Sequence, residues 1–179
     1  MKKVILLLSV CALTLGIVGC GAQGNDGETY QVVEMDTIKA AVVEELGDDY
    51  FPNMPLDSDM LESFVGVSSD MYEDFLAEIP MISTNVDTFI VVRAKSDQAD
   101  AVEKALNDYR DANVSNTMQY PQNLGKIQAS KVARLGDYVI YVQLGGDVMD
   151  VIDQGDEAVI VHCQEANDKV IEIIKETIR

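Results

Sequence analysis

Residues Thr88 to Ala94 read TFIVVRA, a run of mostly apolar and β-branched residues that is typical of a buried strand. A second such run, Phe75 to Ser83 (FLAEIPMIS), comes before it, and Asn85-Val86-Asp87 lies between the two. We predict that they pair as a hairpin. Pro80 would place the first strand at an edge or a bulge, because proline has no N–H to donate to a ladder.

The clearest helix follows this hairpin. We expect it to open at Ser96 or Asp97 and to run to about Met118, before Tyr120-Pro121 breaks it. Its apolar residues fall on one stripe and its charged residues on the other side, as in an amphipathic surface helix. The stripe consists of Ala101, Ala105, Leu106, Tyr109 and Ala112.

The second half of the chain repeats the pattern of a hairpin and a helix. Ile127 to Leu135 and Tyr138 to Leu144 are predicted strands joined by a tight turn at Gly136-Asp137. Residues 147–153 are expected to form a single helical turn. The segment from Glu157 to Ile178 could begin as a short strand, but its apolar residues step by four and three, which favours one amphipathic helix.

The region before the first hairpin is predicted to be helical with a loop. An apolar spacing that ends at Gly47 indicates a helix with Asp36 as its N-cap. Pro52 and Pro55 block regular structure after it, and Asp57 can cap a short helical turn. The apolar residues of these two helices are Ile38, Val42, Val43, Leu46, Met60, Leu61 and Phe64.

These elements predict a single α+β domain with N-terminal helices followed by ββαββα. We expect a four-stranded antiparallel sheet with the two long helices against one face, so that both apolar stripes share one core. The N-terminal helices would cover an end or the remaining face of the sheet.

The N-terminus carries the pattern of a bacterial lipoprotein signal. Lys2 and Lys3 come before an apolar run of about 15 residues that ends in Ile17-Val18-Gly19-Cys20. The run is shorter than the ~20 residues that a membrane-spanning helix needs. We therefore predict a signal peptide over residues 1–19, lipidation of Cys20, a tether over residues 20–31, and a domain over residues 32–179. The alternative is a plain secretory signal in which Cys20 is incidental.

Location follows from that signal. Acyl chains on Cys20 would hold the domain at the outer face of the cell membrane, because two or more chains anchor a protein far better than one. The tether, rich in glycine and polar residues, would let the domain stand off from the surface.

Charge restricts the partners. The chain has 13 basic and 31 acidic residues, for a net charge of −18. Without the two lysines of the leader, 11 basic residues face 31 acidic ones, a net charge of −20. Nucleic acid is excluded as a partner because its binding requires a basic surface, and an anionic membrane surface would repel the domain.

Cysteine and histidine are too few for the common catalytic and metal sites. Cys11 leaves with the leader and Cys20 is modified, so Cys163 has no partner for an intramolecular disulfide. His162 is adjacent to Cys163, and neighbours on a helix point about 100° apart. A histidine-dependent triad and a four-ligand zinc site are therefore disfavoured. The chain also lacks a glycine-rich phosphate loop and a nucleophile elbow, so we predict no catalytic residue and no cofactor.

Two patterns indicate binding. Acidic residues recur about every three positions after Gly145-Gly146, and oxygen ligands in a flexible loop suit Ca²⁺. The spacing is not that of an EF-hand, and on a helix it makes a solvated stripe, which is the favoured interpretation. The weak calcium candidates are Asp147, Asp150, Asp153 and Asp156, with Glu157 beside them.

Tyrosines give the second pattern. Tyr109, Tyr120, Tyr138 and Tyr141 lie near the predicted long helix and second hairpin. With the acids they could line a groove for a peptide, glycan or cationic ligand. The favoured interpretation places them at the edge of the core with their hydroxyl groups in water.

The order of these elements resembles a known family. It resembles the bacterial lipoprotein family of domain of unknown function 4358, over roughly Asp36 to Arg179. The resemblance implies a location and an architecture, and it brings no established activity or site residue. The resemblance rests on features that follow one another in the same order along the chain. These are the lipoprotein signal, a short amphipathic helix, the Leu56-Asp57 to Met71-Tyr72 stretch, the first hairpin, the long helix, Tyr120-Pro121, the Gly136-Asp137-Tyr138 turn and the closing helix.

We therefore expect a membrane-tethered binding or accessory module of the cell envelope. Its partner would be an envelope protein, a glycan or a small ligand. The alternative is a carboxylate-dependent enzyme that acts on the cell wall, since two carboxylates can carry out glycoside hydrolysis.

Overall fold

The computed structural model describes residues 29–82, 84–116 and 118–179. The predicted leader and Cys20 lie outside these residues. In chain order the helices are α1 (Met35–Leu46), α2 (Ser58–Val65), α3 (Ala99–Ser115), α4 (Pro121–Gln128), α5 (Met149–Ile152) and α6 (Asp156–Thr177), and a single 3-10 turn covers Gly47–Asp49. The strands are β1 (Met54–Pro55), β2 (Tyr72–Ile79), β3 (Thr88–Ala94), β4 (Lys131–Leu135) and β5 (Tyr138–Gln143).

The strands form one antiparallel sheet in the order β1-β2-β3-β5-β4. Both predicted hairpins are present, β2 with β3 and β4 with β5. Strand β3 also pairs with β5, from Thr88 opposite Gln143 to Arg93 opposite Tyr138, which places these two strands at the centre. The β4–β5 turn places Gly136 at φ 62°, a conformation that glycine adopts without strain.

The sheet has a helical layer on each face, so the prediction of both long helices on one face is wrong. Helix α3 packs with α2 over Ile90, Val92 and Tyr141, whereas α6 packs with α1 over Phe89 and Val91. The reason lies in the central strand. Successive side chains of a strand point to opposite faces, so the continuous apolar run of β3 requires cover on both.

A third, smaller cluster joins α6 to the end of the sheet. Asn167 of α6 is fully buried, and its side chain accepts from the Leu144 N–H and donates to the Ala129 carbonyl, both at 2.9 Å. The chain then passes so close to α6 that a Cβ atom at Gly145 would lie 2.5 Å from the sulfur of Cys163. Only glycine fits there.

Several predicted strand and helix limits need correction. The sheet has five strands instead of four, because Met54–Pro55 pairs with Ile79 and Glu78. Pro55 is tolerated because β1 is an edge strand. Ile127 and Gln128, predicted as the start of a strand, are the last residues of α4, which begins at Pro121 because proline is favoured in the first turn of a helix. Strand β2 ends before Pro80, and β1 covers its outer side.

Two helix starts also differ from the prediction. Glu34 occupies the N-cap position of α1, and Asp36 lies in its first turn. Helix α3 begins at Ala99 and ends at Ser115, three residues short of the predicted end.

Other predicted elements are confirmed. Asp57 caps α2 by accepting from the Met60 N–H at 2.8 Å. The single turn after Gly146 is α5, and the last segment is helical from Asp156, without an initial strand.

Ordered contacts extend into the end of the segment predicted as a tether. The Gln31 N–H donates to the Ile178 carbonyl at 2.7 Å, and the Gln31 side chain donates to the Arg179 carbonyl at 2.7 Å. Tyr30 packs against the α1–α6 core. The described domain therefore includes Tyr30 and Gln31.

Among the described residues, no helix is both long enough and apolar enough to cross a membrane.

Because the two cores lie on opposite faces, substitutions in them should act independently. We expect Leu106→Ala in α3 to cost about 2–5 kcal/mol and Ile174→Val in α6 about 0.5–1.5 kcal/mol of the free energy of unfolding. The double variant should equal the sum of these to within about 0.5 kcal/mol. Urea unfolding measures the free energy of unfolding of the two single variants and of the double variant. Val170→Ala combined with Ile174→Val, two neighbours in one core, is the control that should show coupling. Coupling above about 1 kcal/mol between Leu106 and Ile174 would contradict the two-core arrangement.

Candidate functional site

A pocket of about 330 Å³ opens at the end of the sheet where β3 begins and β5 ends. We call it the amide pocket, because four side-chain amides contribute to its lining, those of Asn85, Asn113, Gln119 and Gln143. Apolar residues, a threonine and a tyrosine complete the lining, and none of the described residues that line it is charged. In a chain with 31 acidic residues, this neutral lining sets the pocket apart from the rest of the surface.

Two of the amides are held by the fold. The Gln143 side chain donates to the Val86 carbonyl and accepts from the Tyr141 hydroxyl. The Asn85 side chain accepts from the Asp87 N–H at 2.7 Å. Gln119 differs, since its side-chain amide makes no hydrogen bond to the described part of the chain. Of the four amides, two are thus held by the fold, Asn113 is within hydrogen-bonding reach of Tyr141, and Gln119 has no such contact in the described part of the chain.

Tyr109 gives the pocket an aromatic wall. Its ring packs edge-on against Tyr141, with ring centroids 5.2 Å apart and an interplanar angle of 71°. Tyr141 is fully buried, and this burial raises the pKa of its hydroxyl group, which stays neutral. The aromatic wall is therefore held against a buried neighbouring ring.

Exposed apolar side chains lie on the segments around the opening. They belong to the β2–β3 connection and to the segment between α3 and α4. The most exposed are Met118 at 92%, Met81 at 71%, Ile82 at 65% and Tyr120 at 54%. These residues extend the neutral surface beyond the pocket itself.

A buried ion pair underlies this end of the sheet. The Lys126 ammonium lies 2.8 Å from a carboxylate oxygen of Asp87 and 2.7 Å from the Gly146 carbonyl. The side chains are 7% and 0% exposed. The ring of Phe51 covers the ammonium group, 5.6 Å from nitrogen to ring centroid. The pair joins α4, the residue before β3 and the loop after β5, the segments that also carry the pocket.

Asp87 is a structural acid. Burial raises the pKa of its carboxyl group, and the Lys126 ammonium opposes part of that shift. Its second oxygen, Oδ2, has no hydrogen-bond partner in the described part of the chain. Asp87 contributes no side chain to the lining of the amide pocket, so it cannot meet a substrate there.

The other buried acid, Glu78, is also held in a fixed set of contacts. Its carboxylate accepts from the Lys39 ammonium at 2.5 Å and from the Tyr50 hydroxyl at 2.6 Å. Burial, and after it the hydrogen bond to Glu78, raises the pKa of Tyr50. Glu78 therefore organises the 47–53 loop and is not free for acid–base chemistry.

The acidic residues named as weak calcium candidates are not assembled into a metal site. Asp147 lies before α5 and accepts from the Met149 N–H at 2.9 Å, Asp150 lies within α5, and Asp156 begins α6. Among the described residues, no group of three or more His, Cys, Asp or Glu side chains is placed to hold a metal ion. Asp153 follows α5 and is exposed.

Cys163 and His162 also differ in their surroundings. Cys163 is fully buried, and this burial raises the pKa of its thiol to about 11, so the reactive thiolate is scarce at neutral pH. His162 lines a separate surface depression on α5 and α6. The two do not form a catalytic pair.

Of the four predicted tyrosines, the structure brings two together. Tyr109 and Tyr141 are in contact at the amide pocket, and Tyr120 starts the adjacent helix α4. Tyr138 lies at the opposite end of the sheet, where its hydroxyl accepts from the Val33 N–H. The amides and the Lys126–Asp87 pair were not predicted, because residues 85–87 were interpreted only as a turn and Lys126 was not assigned to a helix.

Removing one member of the buried pair should be costly. In Lys126→Met the Asp87 carboxylate is left buried without its cation, and we expect a loss of about 3–5 kcal/mol in the free energy of unfolding. The double variant Asp87→Asn/Lys126→Met should lose less, because no charge is left unpaired. The control is Lys131→Met, which breaks the more exposed pair with Asp168 and should cost less than about 1 kcal/mol. Equal losses for Lys126→Met and Lys131→Met in urea unfolding would show that burial of the pair has no energetic role.

Comparison with known proteins identifies the family. A family model described as Domain of unknown function (DUF4358) matches residues 45–144, from the end of α1 through β5. No curated protein matches the chain, and neither does any solved structure. The matched segment contains all five strands and covers more than half of the chain. The chain therefore belongs to the family of domain of unknown function DUF4358, as its element order predicted.

Proposed function

We propose that this protein is a lipid-anchored, extracytoplasmic binding module of the bacterial cell envelope, and that its amide pocket binds N-acetylated glycan. The lipoprotein signal that ends at Cys20 supports the location. The neutral, amide-lined pocket carries the proposal for the ligand.

The position of the pocket suits a tethered receptor. The N-terminal segment at Tyr30 and Gln31 lies beside Arg93, at the end of β3. The amide pocket lies beside Thr88, at the start of the same strand. Seven residues of strand span about 20 Å. A tether that enters at one end of the sheet would thus leave the pocket at the other end, away from the membrane.

The chemistry of the pocket matches an acetamido group. Such a group offers one N–H donor and one carbonyl acceptor, and a side-chain amide supplies the complementary acceptor and donor. The side-chain amide of Gln119 can supply this donor and acceptor. Tyr109 presents an aromatic wall for an apolar sugar face. An uncharged ligand also avoids the repulsion that a polyanion would meet at a domain of net charge −20.

The same lining argues against catalysis at this pocket. Glycoside hydrolysis uses a pair of carboxyl groups that flank the bond, whereas no carboxyl group of the described part of the chain lines the amide pocket. The two buried acids, Asp87 and Glu78, are held in ion pairs. We therefore favour binding without turnover over the wall-acting enzyme.

The glycan proposal predicts that acetylation of the sugar decides binding. We expect an N-acetylglucosamine tetramer to give saturation-transfer NMR signals with the full chain, and Gln119→Ala to weaken its affinity about threefold to tenfold. Gln154→Ala, at an exposed glutamine on a different surface, is the matched control and should change nothing. The deacetylated, cationic tetramer should bind more weakly. Stronger binding of that tetramer would show that the acidic surface, and not the amide pocket, attracts sugars.

The anchor proposal predicts where lipid is attached. Cells grown with an alkyne-bearing fatty acid should label the wild-type protein, and Cys20→Ala should lose the label and release the protein from the membrane fraction. Cys11→Ala, which alters another cysteine of the N-terminal region, should keep the label. Retention of label in Cys20→Ala would contradict lipidation at this position.

A further inference from the structure

A second pocket, of about 460 Å³, lies at the opposite end of β3 from the amide pocket. It is bounded by the N-terminal segment, the end of β3 and the β4–β5 turn. We call it the Arg93 pocket, and the residues of its lining that matter here are Tyr30, Gln31, Glu73, Arg93, Asp137 and Tyr138.

Arg93 differs from two other arginines in its lack of an acidic partner among the described residues. Arg110 and Arg134 each lie within 4.0 Å of a carboxylate, whereas Arg93 forms no ion pair within the described part of the chain. Its Nε atom is buried and has no hydrogen-bond partner there. A buried donor left unpaired costs free energy, and a charged one costs more. Arg93 is part-exposed and lines the pocket, so an anion bound there would pair with the accessible part of its guanidinium group.

The walls of the pocket are fixed by one backbone–backbone hydrogen bond and one from a backbone N–H to a side chain. The Ala94 N–H donates to the Asp137 carbonyl at 2.8 Å, and the Val33 N–H donates to the Tyr138 hydroxyl at 2.9 Å. These bonds hold the end of β3, the β4–β5 turn and the N-terminal segment against one another. The pocket is thus preformed around Arg93.

Two exposed acids, Glu73 and Asp137, line the same pocket without pairing with Arg93. Their charge disfavours a ligand with several negative charges, and it favours a ligand that carries a positive group next to its anion. We propose that the Arg93 pocket binds a compact zwitterion, whose anionic group pairs with Arg93 and whose ammonium group faces Glu73 and Asp137.

Two sources supply this chemistry, a free amino acid and the phosphoethanolamine head of a phospholipid. The second source rests on the proposed lipid anchor, because the Arg93 pocket lies at the end of the domain where the tether would enter. The site itself does not depend on the amide pocket, which lies at the other end of the sheet, so either proposal can fail alone.

Calorimetric titration of the full chain in a non-ionic detergent tests the site. The probes are glycine and glycerophosphoethanolamine, with acetate, glycerol 3-phosphate and ethanolamine as fragments that carry only one kind of charge. We expect at least one zwitterion to bind about tenfold or more tightly than any fragment. Binding of glycine points to an amino acid, and binding of glycerophosphoethanolamine alone points to the lipid head.

Variants decide whether Arg93 is responsible. Arg93→Gln should reduce the affinity for the zwitterion at least about tenfold, because a charge-assisted hydrogen bond is lost. Lys131→Gln, which changes the net charge equally at a distant surface pair, should have no effect. The surface double variant Glu73→Gln/Asp137→Asn tests the site without disturbing the core, and it should abolish the preference for a zwitterion over acetate. Binding of neither zwitterion to the wild-type chain, or binding that survives Arg93→Gln, would overturn the proposal.

Discussion

The buried contact between Lys126 and Asp87 is the constraint on which the end of the domain that carries the amide pocket depends. Two opposite charges, almost wholly removed from water, must remain together, because either one alone would be strongly unfavourable. Lys126 also binds the Gly146 carbonyl. A single ammonium group therefore fixes α4, the start of β3 and the loop after β5 at one point, although these segments are far apart in sequence.

The 47–53 loop is also tied to this end of the sheet, through Phe51 and Tyr50. Phe51 covers the Lys126 ammonium, and the neighbouring Tyr50 donates to Glu78 while its ring packs edge-on against Phe89. Charged groups are thus concentrated beneath this end of the sheet, where they are paired. Above them, the amide pocket presents only neutral side chains. This separation of paired internal charge from a neutral pocket is the feature of the strongly acidic domain on which the proposal of an uncharged ligand rests.

The sequence predicted elements better than their assembly. The period of the apolar residues located β3, β5, α3 and α6, since local pattern and tertiary role agree in each. It failed for α4, where Pro121 was interpreted as the end of one helix and not as the start of the next. The prediction that α3 and α6 cover the same face of the sheet was also wrong. The unbroken apolar run in β3 already indicated that both faces are buried. The amide pocket could not be predicted, because its four amides come from four different segments, and no local pattern records which loops meet in space.

Hydrogen exchange on Lys126→Met, followed by mass spectrometry, tests the central claim most directly. If the buried pair fixes this end of the domain, exchange should accelerate in residues 84–87, 121–128 and 144–147, while the central strands 88–94 and 138–143 keep their protection. The amide pocket would then lose its shape while the sheet persists. Uniform acceleration over the whole domain, or no change in these three segments, would contradict the role assigned to the pair.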